Sequence, residues 1–456
     1  MKTPFTVKHG RKWSVRRLSA FVVAALGALV LAVAVFFLVF GNAVLNRQGK
    51  AKAARAFAKA HPGCVLQIGE LNYAIGANRL VAQSVTLSSS NATLKSGRIS
   101  LTGVRWARLL WGTAALDEVL ARASLEAANL EVAFPLSHYE LRCAWLRASV
   151  PDSELIAEDT ELRPLGGDEA FFAAHTFRAP RFQVVLPECR VLGLDYGEVL
   201  RGTSCRAASV HLSRPTFDAL INRDKAPKPF VKSPLMVHEA LSSIGLPMRI
   251  DRLSLTNGHL RYCERLAVGA DPGVLTVGAV SMSVEGLANR GEATDAVQLR
   301  GQGELMNAGT MKLLMTIPIH PPDFSLRYSG SMSAMDLTRL GAFLEIAECT
   351  RIKSGRVQEA AFDIEVKAGQ AQGRVRAIYE DLEMAVLDKE TGSENGLVNR
   401  VASFFANVLK IRNANTPDAA GSMKEGVVNY RSKPDDEFQQ FVWFALRTGV
   451  LDIISH

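Results

Sequence analysis

The chain has 456 residues, 48% of them hydrophobic and 21% charged, which excludes a disordered tail and supplies ample core-forming material. Its formal charge of +8 is confined to one end: residues 1–60 hold eleven basic side chains and no acid, so residues 61–456 sum to −3. A polyanion-binding body is therefore disfavoured, and no nucleic-acid partner is expected.

A basic tail over residues 1–17 leads into Leu18–Phe40, 23 residues without a charge. At about 1.5 Å per helical residue this run crosses a hydrocarbon core of about 30 Å. A cleaved signal peptide is the competing reading, but its apolar region is normally about 7–15 residues ending at a small-residue site. A retained anchor is expected, and no second run of comparable length follows it. Six basic residues precede the span and five follow, with Arg16 and Arg17 abutting it. That balance leans slightly toward a cytoplasmic N-terminus. Residues 41–62 read as a basic, alanine-rich helical stalk that stops at Pro62, although its AKAARAFAKA face could also lie on anionic headgroups.

From Cys64 the pattern changes to short alternating apolar runs broken by Gly, Asn, Ser or Pro, the signal of strands. Ile99, Leu101, Val104 and Trp106 form one run, followed by Leu130, Val132, Phe134 and then Leu141, Cys143, Trp145. Phe182, Val184, Leu186 and Val210, Leu212 continue a first β-rich region over 63–213. Residues 214–234, with four prolines and five basic side chains, read as a linker and a boundary. A short amphipathic helix is expected over Pro234–Leu246, so residues 214–246 form one connecting unit.

A second β-rich region over 247–390 follows, with strands expected at Ile250–Tyr262, Val274–Val284, Val297–Met306, Met311–Ile319, Phe324–Met332, Arg356–Val366 and Gln372–Leu387. The spacing and the Asn257-Gly258 dipeptide favour antiparallel neighbours. Residues 391–456 carry two helical patterns, Leu397–Lys410 and Phe438–Ile454, around an intervening strand. Core packing is the simplest account of their aromatic stripes, with membrane or partner docking as the alternative.

The six cysteines stand singly at 64, 143, 189, 205, 263 and 349, without a C-x-x-C pair, so the common zinc and redox spacings are missing. Cys189 and Cys205, sixteen apart across an expected hairpin, are the first disulfide candidates, and buried free thiols are the alternative. The usual catalytic signatures are also missing. His238-Glu239 has no histidine at the spacing of a metalloprotease helix, and Gly301-Gln302-Gly303 lacks the third glycine of a dinucleotide loop. No enzyme, metal or cofactor is expected.

An extended sheet of alternating strands needs a cover for its apolar face, and the expected helices supply only part of one. Such a sheet must curl on itself, pair with a partner or hold an apolar ligand. The candidate lining residues are Ile99, Leu101, Val132, Val184, Leu253, Leu255, Val277 and Met282.

Two segments carry a family resemblance. IKSGRVQEAAFDIEVKAGQAQGRVRAIYEDLEMAVL, over Ile352–Leu387, places Ser354-Gly355, Gly369 and Gly373 at turns; Glu425-Gly426-Val427 with Arg431, then Phe441, Trp443 and Gly449, make a strand and terminal helix. In these segments and in its order of anchor and β-rich body, the chain resembles the AsmA-like family of envelope proteins, relatives of TamB. The resemblance implies a single-span inner-membrane protein with its body in the periplasm, a mainly β fold with an elongated curved groove, and a role in outer-membrane integrity. It also implies phospholipid or another acyl-chain ligand, with an envelope-protein partner as the rival. The roughly 400 residues beyond the anchor depart from the long family members, so spanning the whole periplasm is not expected.

Overall fold

The computed structural model describes residues 50–60, 62–74, 76–105, 115–226, 236–291, 295–319, 321, 323–387, 411–433 and 436–455. The expected anchor Leu18–Phe40 and the helix expected over Leu397–Lys410 lie outside them. Among the described residues, no helix is long and apolar enough to cross a membrane.

The described chain is mainly β, with one large mixed sheet of 18 strands. Its first seven strands are β1 (Val65–Ala74), β2 (Arg79–Ser88), β3 (Thr93–Thr102), β4 (Ser124–Phe134), β5 (Tyr139–Ser149), β6 (Glu154–Pro164) and β7 (Pro180–Leu192). Each pairs antiparallel with the next. β8 (Cys205–Ser213) and β9 (Thr216–Asn222) then lie end to end along β7.

The 18-residue β10 (Met248–Arg265) runs parallel to both β8 and β9, the one departure from the expected antiparallel meander. Parallel neighbours need a crossover of a dozen or more residues. Residues 223–247 supply it, including the short helix Val237–Ser242. Beyond it the antiparallel order resumes through β11 (Gly273–Ala288), β12 (Ala296–Leu305), β13 (Gly309–Pro318) and β14 (Leu326–Met332). β14 and the two-residue β15 (Met335–Asp336) both pair with β16 (Thr350–Lys367), and β17 (Gln370–Val386) and β18 (Gly426–Arg431) complete the sheet.

The linker expected over 214–234 is corrected in its first half, because Thr216–Asn222 is β9 and the sheet passes through the expected boundary. Asp218 disguises this strand in the sequence. Its carboxylate is taken up by Arg181 and, at 2.6 Å, by Arg261 from the two flanking strands.

Helices cover one face of the sheet near its two ends. At the N-terminal end, α1 (Lys50–Ala60) inserts Phe57, and α2 (Leu116–Leu120) inserts Val119 and Leu120, among Leu71, Leu80 and Ile99. In the middle, α3 (Asp168–Ala174) lies on the other face, burying Phe171 and Phe172 against Leu220 and Cys263, each an odd number of residues along its strand from Phe217 and Leu260. At the C-terminal end, α4 (Phe438–Ile454) places Phe441, Ala445 and Ile453 on Tyr328, Ile364, Val375 and Val428. It also closes the sheet edge: the Val427 N–H donates to Asp452 Oδ2 at 2.8 Å and the Asn429 N–H to Thr448 Oγ1 at 3.2 Å. Side chains thus take up donors that an edge strand otherwise leaves to a passing strand.

The close seat of α4 depends on Gly449, where a Cβ would stand 2.5 Å from Val375 and 2.8 Å from Val428. Gly449→Leu is expected to destabilise the fold by about 1–3 kcal/mol, the range for overpacked sites. The measurement is the midpoint of urea unfolding, and an unchanged midpoint would show that α4 does not seat there.

Candidate functional site

Paired residues in neighbouring strands point to the same face, so the register defines rows running across the whole sheet. Starting on β1, one row reads Leu71, Ala82, Ile99, Ala127, Leu146, Ala157, Cys189, Leu212 and Leu255. It continues through Met282, Gly301, Leu313, Gly330 and Phe362 to Val375 on β17. A second row, two residues away on each strand, passes through Leu80, Leu101, Leu125, Leu253, Val284 and Tyr328. A third runs from Leu66 through Val132, Val184, Phe217, Leu260 and Val277 to Leu305. No charged residue interrupts any of the three.

The opposite face is more polar by the same test: one of its rows reads Glu126, Arg147, Ile156, Arg190, His211, Ser254, Ser283, Arg300 and Leu314, with Ile156 and Leu314 as its apolar members.

Strict alternation would not keep these rows in phase. Leu80, Ala82, Val85 and Leu87 are all buried in one cluster, yet the step from 82 to 85 is odd. Ser84 resolves the mismatch by taking a left-handed backbone at φ 51°, which turns the following residues back to the same face. Asn129 in β4, Asp159 in β6, Asn257 in β10 and Ala279 in β11 do the same, with φ between 47° and 52°. The neighbouring strand makes room: a Cβ at Gly69 would lie 2.9 Å from the Ser84 side chain.

The structure places all eight expected lining residues on this apolar face. Ile99, Met282 and Leu255 lie in the first row, Leu101 and Leu253 in the second, and Val132, Val184 and Val277 in the third. They differ in exposure: Ile99, Leu101, Val132 and Leu255 are buried, while Val184, Leu253, Val277 and Met282 are half-buried. Trp145, read as continuing the run of Leu141 and Cys143, instead pairs with Glu158 on the polar face, and Leu146 takes the apolar position. The missed signal is apolar–x–apolar–x–x–apolar–x–apolar, as in Leu80 to Leu87 and Leu125 to Val132, rather than plain alternation.

Cys189 and Cys205 are free thiols. Cys189 lies opposite Leu212, and Cys205 stands seven residues along β8 from Leu212. At about 3.3 Å per residue that is roughly 23 Å, far beyond the reach of a disulfide. Burial pushes both thiols up, so they remain protonated and weakly reactive at neutral pH.

The rows are covered at their ends by α1, α2 and α4. Beside the third row, on β10 and β11, they are covered by the helix Gly341–Glu348, whose Phe343 ring lies 5.8 Å from that of Tyr262. Apolar side chains stay exposed between these covers. Phe182 is 45%, Leu260 38% and Met311 36% exposed, all on the apolar side. A concavity of about 700 Å³ crosses β10 to β14. It is lined by Leu255, Met282, Gly301, Leu313 and Gly330 of the first row and by Ser254, Ser283, Arg300, Gln302, Lys312 and Leu314 of the opposite parity, so it is not a purely hydrocarbon surface. Above Gly301 a Cβ would have no neighbour closer than 3.8 Å. Among the described residues, no group of three or more His, Cys, Asp or Glu side chains is placed to hold a metal ion.

In comparisons with known proteins, no family model matches the chain and no curated protein matches it.

Ends and middle should respond differently to substitution. Leu101→Asp buries an unpaired charge beneath α1 and α2 and is expected to abolish cooperative folding, because that cost is several kcal/mol. Leu260→Gln is expected to shift stability by no more than about 0.5 kcal/mol, as at other solvent-exposed sites. Thermal unfolding followed by circular dichroism separates the two, and equal losses would mean the middle of the sheet is ordinary core.

Proposed function

We propose that this chain is a non-enzymatic lipid-binding protein of the AsmA-like kind. It is held in the inner membrane by Leu18–Phe40, and its periplasmic sheet forms a groove whose apolar face shelters acyl chains. The observation that carries the reading is the set of three uncharged rows, covered at both ends and exposed at Phe182, Leu260 and Met311 between them. An apolar surface of this length in contact with water is unfavourable unless something covers it. Hydrocarbon is the natural cover, since the rows offer no charge and few hydrogen-bonding groups for a polar ligand.

The sheet has about sixteen strand levels, because β8 with β9 and β14 with β15 share positions. At about 4.8 Å per level the rows extend roughly 70 Å. In this reading the groove carries lipid over part of the envelope and keeps the remaining steps for other proteins. The rival reading, docking of envelope proteins by strand addition, loses one of its two edges because α4 occupies the outer donors of β18.

Lipid should copurify with the protein lacking residues 1–45, and mass spectrometry of an organic extract should identify phospholipid. Met282→Arg places a charge in the exposed part of the first row and is expected to reduce the bound lipid at least about tenfold, for an introduced charge costing more than about 1.4 kcal/mol. A lipid-free, monodisperse wild-type protein would count against the groove.

A further inference from the structure

The turns around α3 form an exposed apolar platform at the open middle of the sheet. Leu136 in the β4–β5 turn, Phe177 after α3, and Leu266 and Val268 in the β10–β11 turn are between 36% and 58% exposed. These turns lie on one long side of the sheet, and α3 joins them. His138 from the first turn meets His175 at the end of α3 with ring centroids 5.6 Å apart. Arg178, next to Phe177, donates to the carbonyls of Arg223 and Lys225. Arg265, just before the third turn, pairs with Glu169 of α3 at 2.8 Å and lies 5.0 Å above Phe172. The tips are thus held by a packed, ion-paired mount. Immediately inside them, Phe182 and Leu260 continue the same hydrocarbon onto the apolar face.

Resting on the acyl-chain reading above, we propose that this platform docks on a phospholipid bilayer, and that acyl chains pass over it sideways into the middle of the groove. Both ends of the rows are closed by the chain's own helices and Gly341–Glu348 covers the turn end of β10 and β11, so the side chains left exposed at Phe182 and Leu260 mark where hydrocarbon can reach the face. The four tip side chains carry no hydrogen-bonding group, which gives a protein partner nothing directional to pair with. A bilayer's interfacial layer requires only apolar area. The headgroup stays outside, because the rows hold no charge to replace its water.

The test places the photo-crosslinking residue p-benzoylphenylalanine singly at Leu136, Phe177, Val268 and Leu260, and at Asp152 on the opposite side of the sheet. The full chain is reconstituted in vesicles of phosphatidylethanolamine and phosphatidylglycerol, irradiated and analysed by mass spectrometry. Phospholipid adducts are expected at the three tips and at Leu260, with little at Asp152. Replacing Leu136, Phe177 and Val268 together by Ser withdraws three apolar side chains from hydrocarbon and should lower the Leu260 adduct at least about tenfold, while the melting temperature stays constant. Adducts at Leu260 without adducts at the tips, or an undiminished Leu260 adduct in the triple variant, would overturn the docking platform and leave the acyl-chain reading standing. No adduct at any of the four positions would overturn both. Protein adducts at the tips in cell envelopes would replace the bilayer with a protein partner.

Discussion

Everything in this fold depends on keeping one face apolar through eighteen hydrogen-bonded strands. A slip of one residue in any strand would turn its hydrophobic set to the other side. Long strands aggravate the problem, since right-handed twist accumulates along them. The structure meets it with left-handed residues inside the strands, at Ser84, Asn129, Asp159, Asn257 and Ala279. Each bends its strand and resets its phase, so two alternating halves share one face. Asn and Asp are among the residues that tolerate this backbone best, whereas Ala279 does so at a local cost.

The sheet is also defended at its margins. α4 lies across the apolar face and uses Asp452 and Thr448 to satisfy outward donors of β18. At the other edge the Lys50 ammonium of α1 donates to the Gly69 carbonyl of β1. Between the halves, β10 runs parallel to β8 and β9, and Arg223 ties this junction to the helix Gly341–Glu348 through the carbonyls of Ile346 and Ala347. Charges brought inside are paired: Arg181 is buried with Asp168 and Asp218, where an uncompensated guanidinium would be costly.

These devices leave part of the apolar face exposed in the middle, at Phe182, Leu260 and Met311. Side chains fill that face at the ends, where Leu71 and Ile364 are buried, whereas in the middle Leu146, Leu212 and Met282 are half-buried and Leu255, between the last two in the first row, is buried.

The sequence by itself determined the chemistry: the basic N-terminal end, the β-rich composition, the C-terminal helix Phe438–Ile454 and the apolar character of all eight lining residues follow from local pattern. Periodicity is a short-range property, so it survives without knowledge of partners. Which strands meet was not available to it. Thr216–Asn222 looked like a linker because the compensation of Asp218 comes from Arg181 and Arg261, 37 and 43 residues away along the chain. Cys189 and Cys205 looked like neighbours because a hairpin was assumed where the register holds them far apart. The parallel seam at β10, the closure of both ends and the exposure of the middle were likewise decided only by tertiary structure, because each depends on contacts between residues distant in sequence.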